Sequence, residues 1–291
     1  MKQTVYISEH LSKAKNKGLY YGKSVFNELQ EIEGIEIKPI KNNSGNVWCR
    51  DYMPVKSASG KYVQFTYHPS YMGEMIKYKD NFPDSKKLHD KLKLECEESK
   101  IILDGGAIEI FGTKAIVSDR VFRDNKNLSE IEILKVIKEI LDLKQLIVIP
   151  QHPYDFTGHV DGLVRFIDEN SVVVNDLEEE LKCAENSKIP YRIKRIWKWI
   201  ASVKSALEEA KLKMHELPVS YSENGSDSSG EGIYINFLLL EDLIIMPVYE
   251  KDEDNIAADR LTKLYGKKVI TINATELAKQ GGMINCVTWT K

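Results

Sequence analysis

Apolar and polar residues follow a repeating order along the chain: an apolar strand, a polar turn, an amphipathic helix and another apolar strand. One clear copy has strands at 114–118 and 145–149, with a helix between them from about Ser129 to Asp142. Ser129 and Glu132 have the spacing of a capping box, which marks a helix N-terminus. The apolar residues that we expect on one face of this helix are Ile133, Val136, Ile137, Ile140 and Leu141. The pattern therefore predicts a strand–helix–strand module with a buried helix face.

A second clear copy of this order lies near the end of the chain. It has strands at 243–248 and 268–272, which flank a helix from about Asp254 to Tyr265. Gly266 follows the helix directly, and glycine is the residue that most often ends a helix in the left-handed conformation.

Three further copies are predicted at 171–216, 4–39 and 62–103. The first of them contains a helical region with the basic residues Arg192, Arg195 and Lys198 on one side. The apolar residues that we expect beside them are Ile193, Ile196, Trp197 and Ile200. Repetition of this kind is typical of modules that share a core. The pattern predicts an α/β protein of about five modules around an axis, in a single domain over residues 1–291.

The stretch Ser220–Gly232 interrupts this order, because it is rich in serine, glycine and other turn residues. Such a segment cannot pack a core, so it predicts a surface loop. Whether the loop closes over a site is left open by the sequence.

Composition narrows the class of protein. Of the 291 residues, 42% are hydrophobic and 29% charged, as in a globular protein with a sizeable core. The net charge of −3 argues against non-specific nucleic-acid binding and is compatible with a cationic small molecule. No apolar run approaches the about 18 residues of a membrane helix, and the N-terminus lacks the apolar run of a signal peptide. We therefore expect a cytoplasmic protein that binds neither nucleic acid nor membrane.

The cysteines do not predict a metal or redox centre. Cys49, Cys96, Cys183 and Cys286 are far apart and show no CxxC spacing. Free thiols are the default for a chain without an export signal. We predict no metal and no cofactor, and the oligomeric state, a homo-oligomer included, is left open.

Trp48-Cys49-Arg50-Asp51 combines an aromatic residue, a cation and a carboxylate. These residues can form a pocket wall for a flat cation. Trp48 would stack on the cation, and Asp51 would accept hydrogen bonds from its N–H groups. The alternative is a turn at Arg50 and Asp51 that caps a strand ending at Pro54.

Histidine and acidic residues lie beside glycines in two further segments. In Gly158-His159-Val160-Asp161-Gly162, a strand that begins at His159 would place His159 and Asp161 on one face. Histidine titrates near neutrality and suits proton transfer, although a solvated strand end is an equal alternative. Asp104-Gly105-Gly106 permits a ligand to rest on the main chain or forms an ordinary tight turn.

Cys286 follows the glycine pair Gly281-Gly282. A thiolate there could act as a nucleophile, but a buried cysteine is more commonly a small inert hydrophobe. Asn236 interrupts an apolar strand and needs hydrogen-bond partners if it is buried. A cysteine, a histidine and carboxylates at glycine-marked strand ends fit the nucleophile–base logic of thiol catalysis.

Taken in order, these motifs resemble those of the agmatine deiminase and Porphyromonas-type peptidylarginine deiminase family, within the guanidine-modifying pentein superfamily. The motifs are Trp48-Cys49-Arg50-Asp51, Gly105-Gly106, Gly158-His159-Val160-Asp161, Tyr234-Ile235-Asn236-Phe237 and the segment from Gly281 through Cys286 to Thr288. The resemblance implies a five-bladed β/α propeller and a metal-free hydrolase acting on a guanidinium group.

The resemblance also implies roles for individual residues. Cys286 would be the nucleophile and His159 the general acid and base, while Asp51 and Asp161 would clamp the guanidinium. The candidate substrate-binding residues are Trp48, Arg50, Asp104, Gly105, Gly106 and Asn236.

Three departures from the family leave the substrate open. The chain is shorter than the agmatine deiminases, its start lacks a Trp-containing segment, and Asp104 stands where a glutamate is expected. Agmatine, which would give N-carbamoylputrescine and ammonia, is the leading substrate, ahead of peptidylarginine, arginine and other alkylguanidines. An amidinotransferase and a pentein-fold binding protein without turnover are the other hypotheses.

Overall fold

A computed structural model describes residues 2–77, 82–186, 189–221 and 229–291 of the chain, and at 74–77 it describes the backbone alone. The chain forms two compact units. The first, which we call the Cys286 unit, comprises Met1–Met53, Glu74–Leu92 and Pro218–Lys291. The second, the His159 unit, comprises Pro54–Gly73 and Lys93–Leu217. The single domain over 1–291 stays a prediction.

The described residues of the His159 unit form three sheets of identical topology. In each, a first strand runs antiparallel to the middle strand, and a helical crossover returns a third strand parallel to it. The strands are Val55–Lys56, Tyr62–Thr66 and Cys96–Ile102; Ile108–Phe111, Lys114–Ser118 and Gln145–Ile149; and Val164–Asp168, Ser171–Asn175 and Lys213–Leu217. The predicted modules at 62–103, 114–149 and 171–216 each correspond to one of these sheets.

The helices of this unit pack against the sheets through narrow apolar faces. They are Arg120–Asp124, Glu130–Ile140, Leu177–Asn186 and Pro190–Glu209, with short 3-10 turns at Gly105–Ala107 and Val160–Gly162. The predicted capping box of Ser129 and Glu132 is present, with both reciprocal hydrogen bonds. Val136 was expected on the buried face of that helix but is 37% exposed. The face is centred on Ile133, Ile137 and Leu141, and Ile140, as expected, is partly buried beside them.

The long helix Pro190–Glu209 corrects one expectation. Trp197 is 60% exposed, whereas Trp199 is 5% exposed and donates its indole N–H to the carbonyl of Pro150 at 3.0 Å. The reason is helical phase, since a residue one position beyond Ile196 points about 100° away from the buried side. The buried residues follow the helical period and are Ile196, Trp199, Ile200, Val203 and Leu207.

In the part of the Cys286 unit that the structure describes there are two more sheets of the same topology and a small hairpin. In one sheet Gln3–Ser8 is the middle strand, flanked by Ile35–Ile40 in parallel and by Thr288–Thr290 from the far end of the chain in antiparallel. The other sheet contains Leu238–Leu239, Leu243–Val248 and Lys268–Asn273. The hairpin pairs Lys15–Asn16 with Leu19–Tyr20. The strands predicted for the modules at 4–39 and 243–272 are therefore present in these two sheets.

Short helices connect these strands. They are Leu11–Lys13, Lys23–Glu31, Cys49–Tyr52, Ser85–Leu92, Glu253–Tyr265 and Thr275–Ala278, and the 3-10 segment Ser70–Lys77 links the two units in sequence. Gly266 ends the helix before it in the left-handed conformation, with φ of 62°, as predicted. Within the described parts of the chain, no helix has the length and apolar character that crossing a bilayer requires. Residues 222–228 of the predicted loop Ser220–Gly232 lie outside the described residues, and the cytoplasmic location stays a prediction.

Candidate active site

Cys286 is buried on a loop of its unit and is held there by Asn236. Its thiol donates to Oδ1 of Asn236 at 3.2 Å, and its backbone N–H donates to the same oxygen at 3.3 Å. The backbone carbonyl of Asn236 in turn accepts from the N–H of Asn285 at 3.1 Å. A buried asparagine was predicted to need partners, and the Cys286 loop supplies them.

The two glycines before Cys286 serve different purposes. Gly281 has φ of 94°, a conformation that side chains other than glycine rarely adopt. A Cβ on Gly282 would lie 2.4 Å from Cζ3 of Trp48, so the indole ring packs directly against the backbone there. The predicted aromatic residue therefore lies against the loop of the predicted nucleophile.

Arg50 also contacts this loop. Its guanidinium donates to Oδ1 of Asn285 at 3.1 Å, and its backbone N–H donates to the carbonyl of Cys286 at 3.1 Å. The side chain thereby fixes the residue before the cysteine. A role of Arg50 in contacting substrate stays a prediction.

Asp51 follows Arg50 in the helix Cys49–Tyr52 and is buried. The alternative of a turn that caps a strand ending at Pro54 is wrong, because this segment is helical and the next strand begins at Val55. Cys49, two residues earlier, contacts the hydroxyl of Tyr52 through its sulfur at 3.2 Å. Burial raises the pKa of the Cys49 thiol to about 12, so it is protonated at neutral pH.

In the His159 unit, a buried imidazole pairs with a buried carboxylate. Nε2 of His159 lies 3.1 Å from Oδ2 of Asp104, and the two residues are 7% and 6% exposed. Asp104 precedes the 3-10 turn Gly105–Ala107, whose Ala107 N–H donates to the Asp104 carbonyl at 2.9 Å. The glycine pair is buried in that turn. A carboxylate at this distance stabilises a protonated imidazole.

The expectation that a strand begins at His159 is wrong. Val160–Gly162 is a 3-10 turn, and the strand begins at Val164. Strand alternation therefore does not explain the placement of His159 and Asp161, although both are buried. His159 directly precedes this turn and Asp161 lies within it, so neither residue belongs to the strand.

The loop before His159 depends on two residues that the sequence reading missed. The carboxylate of Asp155 accepts from the backbone N–H groups of Thr157, Gly158 and His159 at 2.7, 2.9 and 3.2 Å. Aspartate commonly accepts hydrogen bonds from backbone N–H groups two to four residues later in a turn, so the role of Asp155 could have been predicted from the sequence. Arg120, which binds the carbonyls of the same loop, is distant in sequence and gave no local signal.

The described residues therefore bring the predicted site residues into two groups. Cys286, Asn236, Arg50 and Trp48 form one within the Cys286 unit, and His159 and Asp104 form the other within the His159 unit. Over the same described ranges, no cluster of three or more His, Cys, Asp or Glu residues could hold a metal ion.

Comparison with known proteins gives consistent matches over almost the whole chain. The sequence model of the Porphyromonas-type peptidyl-arginine deiminase family matches residues 2–291. A protein of Photobacterium profundum named "Putative agmatine deiminase" is 26% identical over 283 residues, which cover 87% of this chain and 76% of that protein.

Solved structures show the same fold. The C. jejuni agmatine deiminase is 23% identical with a TM-score of 0.72, covering 100% of this chain and 93% of that one. The agmatine deiminase of Enterococcus faecalis is 17% identical with a TM-score of 0.73, over 100% and 93% of the two chains. These likenesses confirm the predicted α/β fold.

Proposed function

Because this chain belongs to the Porphyromonas-type peptidyl-arginine deiminase family, we propose that it is a guanidine deiminase whose nucleophile is Cys286. The predicted family is confirmed, and with it the class of hydrolases that act on C–N bonds. Agmatine is the proposed substrate, because similar proteins bear the name agmatine deiminase. The proposed products are N-carbamoylputrescine and ammonia.

The observation that carries this proposal is the fixed position of Cys286. One amide oxygen, Oδ1 of Asn236, accepts from both the thiol and the backbone N–H of Cys286. Burial raises the pKa of the Cys96 and Cys183 thiols to about 11 and that of the Cys49 thiol to about 12. Those three thiols are poor nucleophiles near neutral pH, because the thiolate is the reactive form.

The proposed reaction begins with transfer of the Cys286 thiol proton to His159 and attack of the resulting thiolate on the guanidinium carbon, which forms a C–S bond and a tetrahedral intermediate. His159 protonates the departing nitrogen, the C–N bond breaks, and ammonia leaves behind an S-alkylthiouronium adduct. His159 then takes a proton from water as the water attacks the same carbon. The C–S bond breaks, and the ureido product and the thiol are released.

Asp104 supports the proposed proton transfers through its contact with His159. At 3.1 Å from Nε2, its carboxylate favours the imidazolium form that exists after the first step, before the ring gives its proton to the leaving group. Asp104 was predicted to bind substrate, and we instead propose that it orients His159 and stabilises the protonated form of its imidazole. Glutamate, expected here from the family pattern, would reach about one methylene farther.

The remaining candidate residues bind the substrate in this proposal. The carboxylates of Asp51 and Asp161 would accept the N–H groups of the planar guanidinium, and Trp48 would lie against its face. The main chain at Gly105 and Gly106 would line the binding site. The circular arrangement of the five modules as propeller blades stays a prediction.

A panel of guanidines tests the substrate and the nucleophile together. With agmatine, arginine and an arginine peptide assayed for ammonia and ureido product, we expect the highest kcat/KM for agmatine. Cys286→Ala should lower turnover by about a thousandfold or more, because no other group can form the covalent adduct. Mass spectrometry of the quenched parent enzyme should show the substrate less ammonia on the Cys286 peptide.

Cys96→Ala is the matched control, since it removes a half-buried thiol outside the proposed chemistry. It should keep turnover within about twofold of the parent. A folded Cys286→Ala protein that retains turnover would show that the mechanism is wrong. Transfer of the amidino group to an added amine, in preference to water, would favour the amidinotransferase hypothesis instead.

A further inference from the structure

Arg120 holds the loop that leads into His159. The arginine is buried in the helix Arg120–Asp124, and its Nη1 donates to the carbonyls of both Phe156 and Thr157. Its Nε donates to the carboxylate of Asp124 at 2.8 Å. The planar guanidinium can serve these acceptors at once because its N–H groups point outward in a fixed fork.

The backbone at Gly158 fits against the same side chain. Gly158 has φ of 69°, and a Cβ there would lie 2.8 Å from Cδ of Arg120. The Asp155 carboxylate accepts hydrogen bonds from the backbone N–H groups of residues 157, 158 and 159. Arg120 therefore fixes the carbonyls of the loop while Asp155 fixes its N–H groups. The position of the His159 Cα is set by both.

A second contact route connects Arg120 to the imidazole. The guanidinium carbon lies 4.7 Å from the centre of the Tyr71 ring, and Nη2 donates to Oγ of Ser70 at 2.8 Å. Tyr71 in turn meets the His159 ring edge to face, with 6.0 Å between ring centres and 82° between planes. Arg120 therefore packs against the Tyr71 ring, and Tyr71 contacts the His159 imidazole away from the His159 backbone.

We propose that Arg120 is a positioning residue for His159, acting through the 156–158 backbone and through Tyr71 without contacting the imidazole. This inference rests on the proposed function, since it assumes that His159 transfers protons. Proton transfer requires the ring to lie within hydrogen-bond distance of the reacting atoms, and a displacement of about 1 Å can cost about a hundredfold in rate. Loss of Arg120 should therefore lower kcat and leave substrate affinity nearly unchanged.

Two variants keep the test independent of folding. Arg120→Met alone would leave the Asp124 carboxylate buried beside an apolar side chain, so the charge-balanced variant is Arg120→Met with Asp124→Leu. Arg120→Lys keeps the charge but replaces the fork with a single ammonium. Lys126→Met is the control, because Lys126 is a cation two residues beyond the same helix and is exposed.

The measurements are kcat and KM for agmatine, thermal unfolding, and the NMR titration of His159, assigned by comparison with His159→Asn. The charge-balanced variant should lose about 10- to 100-fold in kcat with KM within about twofold, and the His159 titration midpoint should move. Arg120→Lys should retain intermediate activity, and Lys126→Met should match the parent in every measurement.

Two outcomes separate this inference from the proposed function. Folded Arg120 variants with parental kcat, beside an inactive His159→Asn protein, would overturn the positioning role alone. A His159→Asn protein with full turnover would instead overturn the proposed use of His159. A fall in kcat with an unchanged His159 titration would also count against positioning through the ring.

Discussion

Replacing Gly282 with alanine tests how closely Trp48 and the Cys286 loop are packed. The new Cβ would lie 2.4 Å from Cζ3, 3.0 Å from Cε3 and 3.1 Å from Cη2 of the indole. An ordinary contact begins at 3.4 Å, so the ring or the loop must move by about 1 Å. Overpacking of this kind costs about 1–3 kcal/mol of unfolding free energy. If the loop moves and carries Cys286 with it, kcat should also fall, by up to about a hundredfold.

A double-mutant cycle with Trp48→Leu assigns this cost to the ring. Urea unfolding should show that Gly282→Ala costs at least about 1 kcal/mol less when residue 48 is leucine, because residues in contact couple energetically. Gly266→Ala is the control, since nothing lies within 4 Å of the Cβ position of Gly266, so its cost comes from the positive φ alone. Its cost should be the same in both backgrounds, within about 0.5 kcal/mol. An equal cost of Gly282→Ala with and without the indole would refute the packing argument.

Two further predictions follow from the buried thiols and phenols. In a Cys286→Ala background, the alkylation of Cys96 and Cys183 by iodoacetamide should be slow at pH 8 and its rate should rise about tenfold per pH unit. The reason is that burial raises the pKa of both thiols to about 11. A rate that levels off near pH 9 would contradict this. Burial also raises the pKa of Tyr249 well above its usual value, so the stability that its neutral form contributes is present below about pH 10 and lost as the pH rises further. Tyr249→Phe should be less stable than the parent at pH 8, because it has lost a 2.7 Å hydrogen bond to the carbonyl of Ile233. Above about pH 10 the unfolding free energy of the variant should nevertheless fall less steeply than that of the parent. Parallel curves of unfolding free energy against pH would contradict this.

Features that depend on neighbouring residues could be predicted from the sequence. The capping box of Ser129 and Glu132 and the helix end at Gly266 involve contacts within one or two turns, so their residue types suffice. The five modules were likewise visible, because each strand is a short apolar run bounded by turn residues. Trp197 was misplaced because its apolar ring was given more weight than helical phase: Trp199, three positions after Ile196, lies on the buried face, and Trp197 lies about 200° from Trp199 around the helix.

The candidate site was predictable as a set of residues but not as a set of contacts. Asn236 could be identified as a polar residue that needs partners, yet the Cys286 N–H and thiol lie 50 residues away in sequence. The pairing of His159 with Asp104 spans 55 residues. Contacts of this range depend on how strands and turns assemble, and no spacing rule within a single segment encodes them.

The pairing of Thr288–Thr290 with Gln3–Ser8 has a consequence for the order in which the chain folds. Val5 pairs with Thr290 and Tyr6 with Trp289, so this sheet joins segments about 280 residues apart. Contacts of such sequence separation form late, because the entropy lost in closing the intervening loop opposes them. During synthesis the strand Gln3–Ser8 can pair with Ile35–Ile40 early, but its other edge can pair only after Thr288–Thr290 have been made. Cys286, just before that closing strand, therefore reaches its final place only after the strand Thr288–Thr290 has paired with Gln3–Ser8.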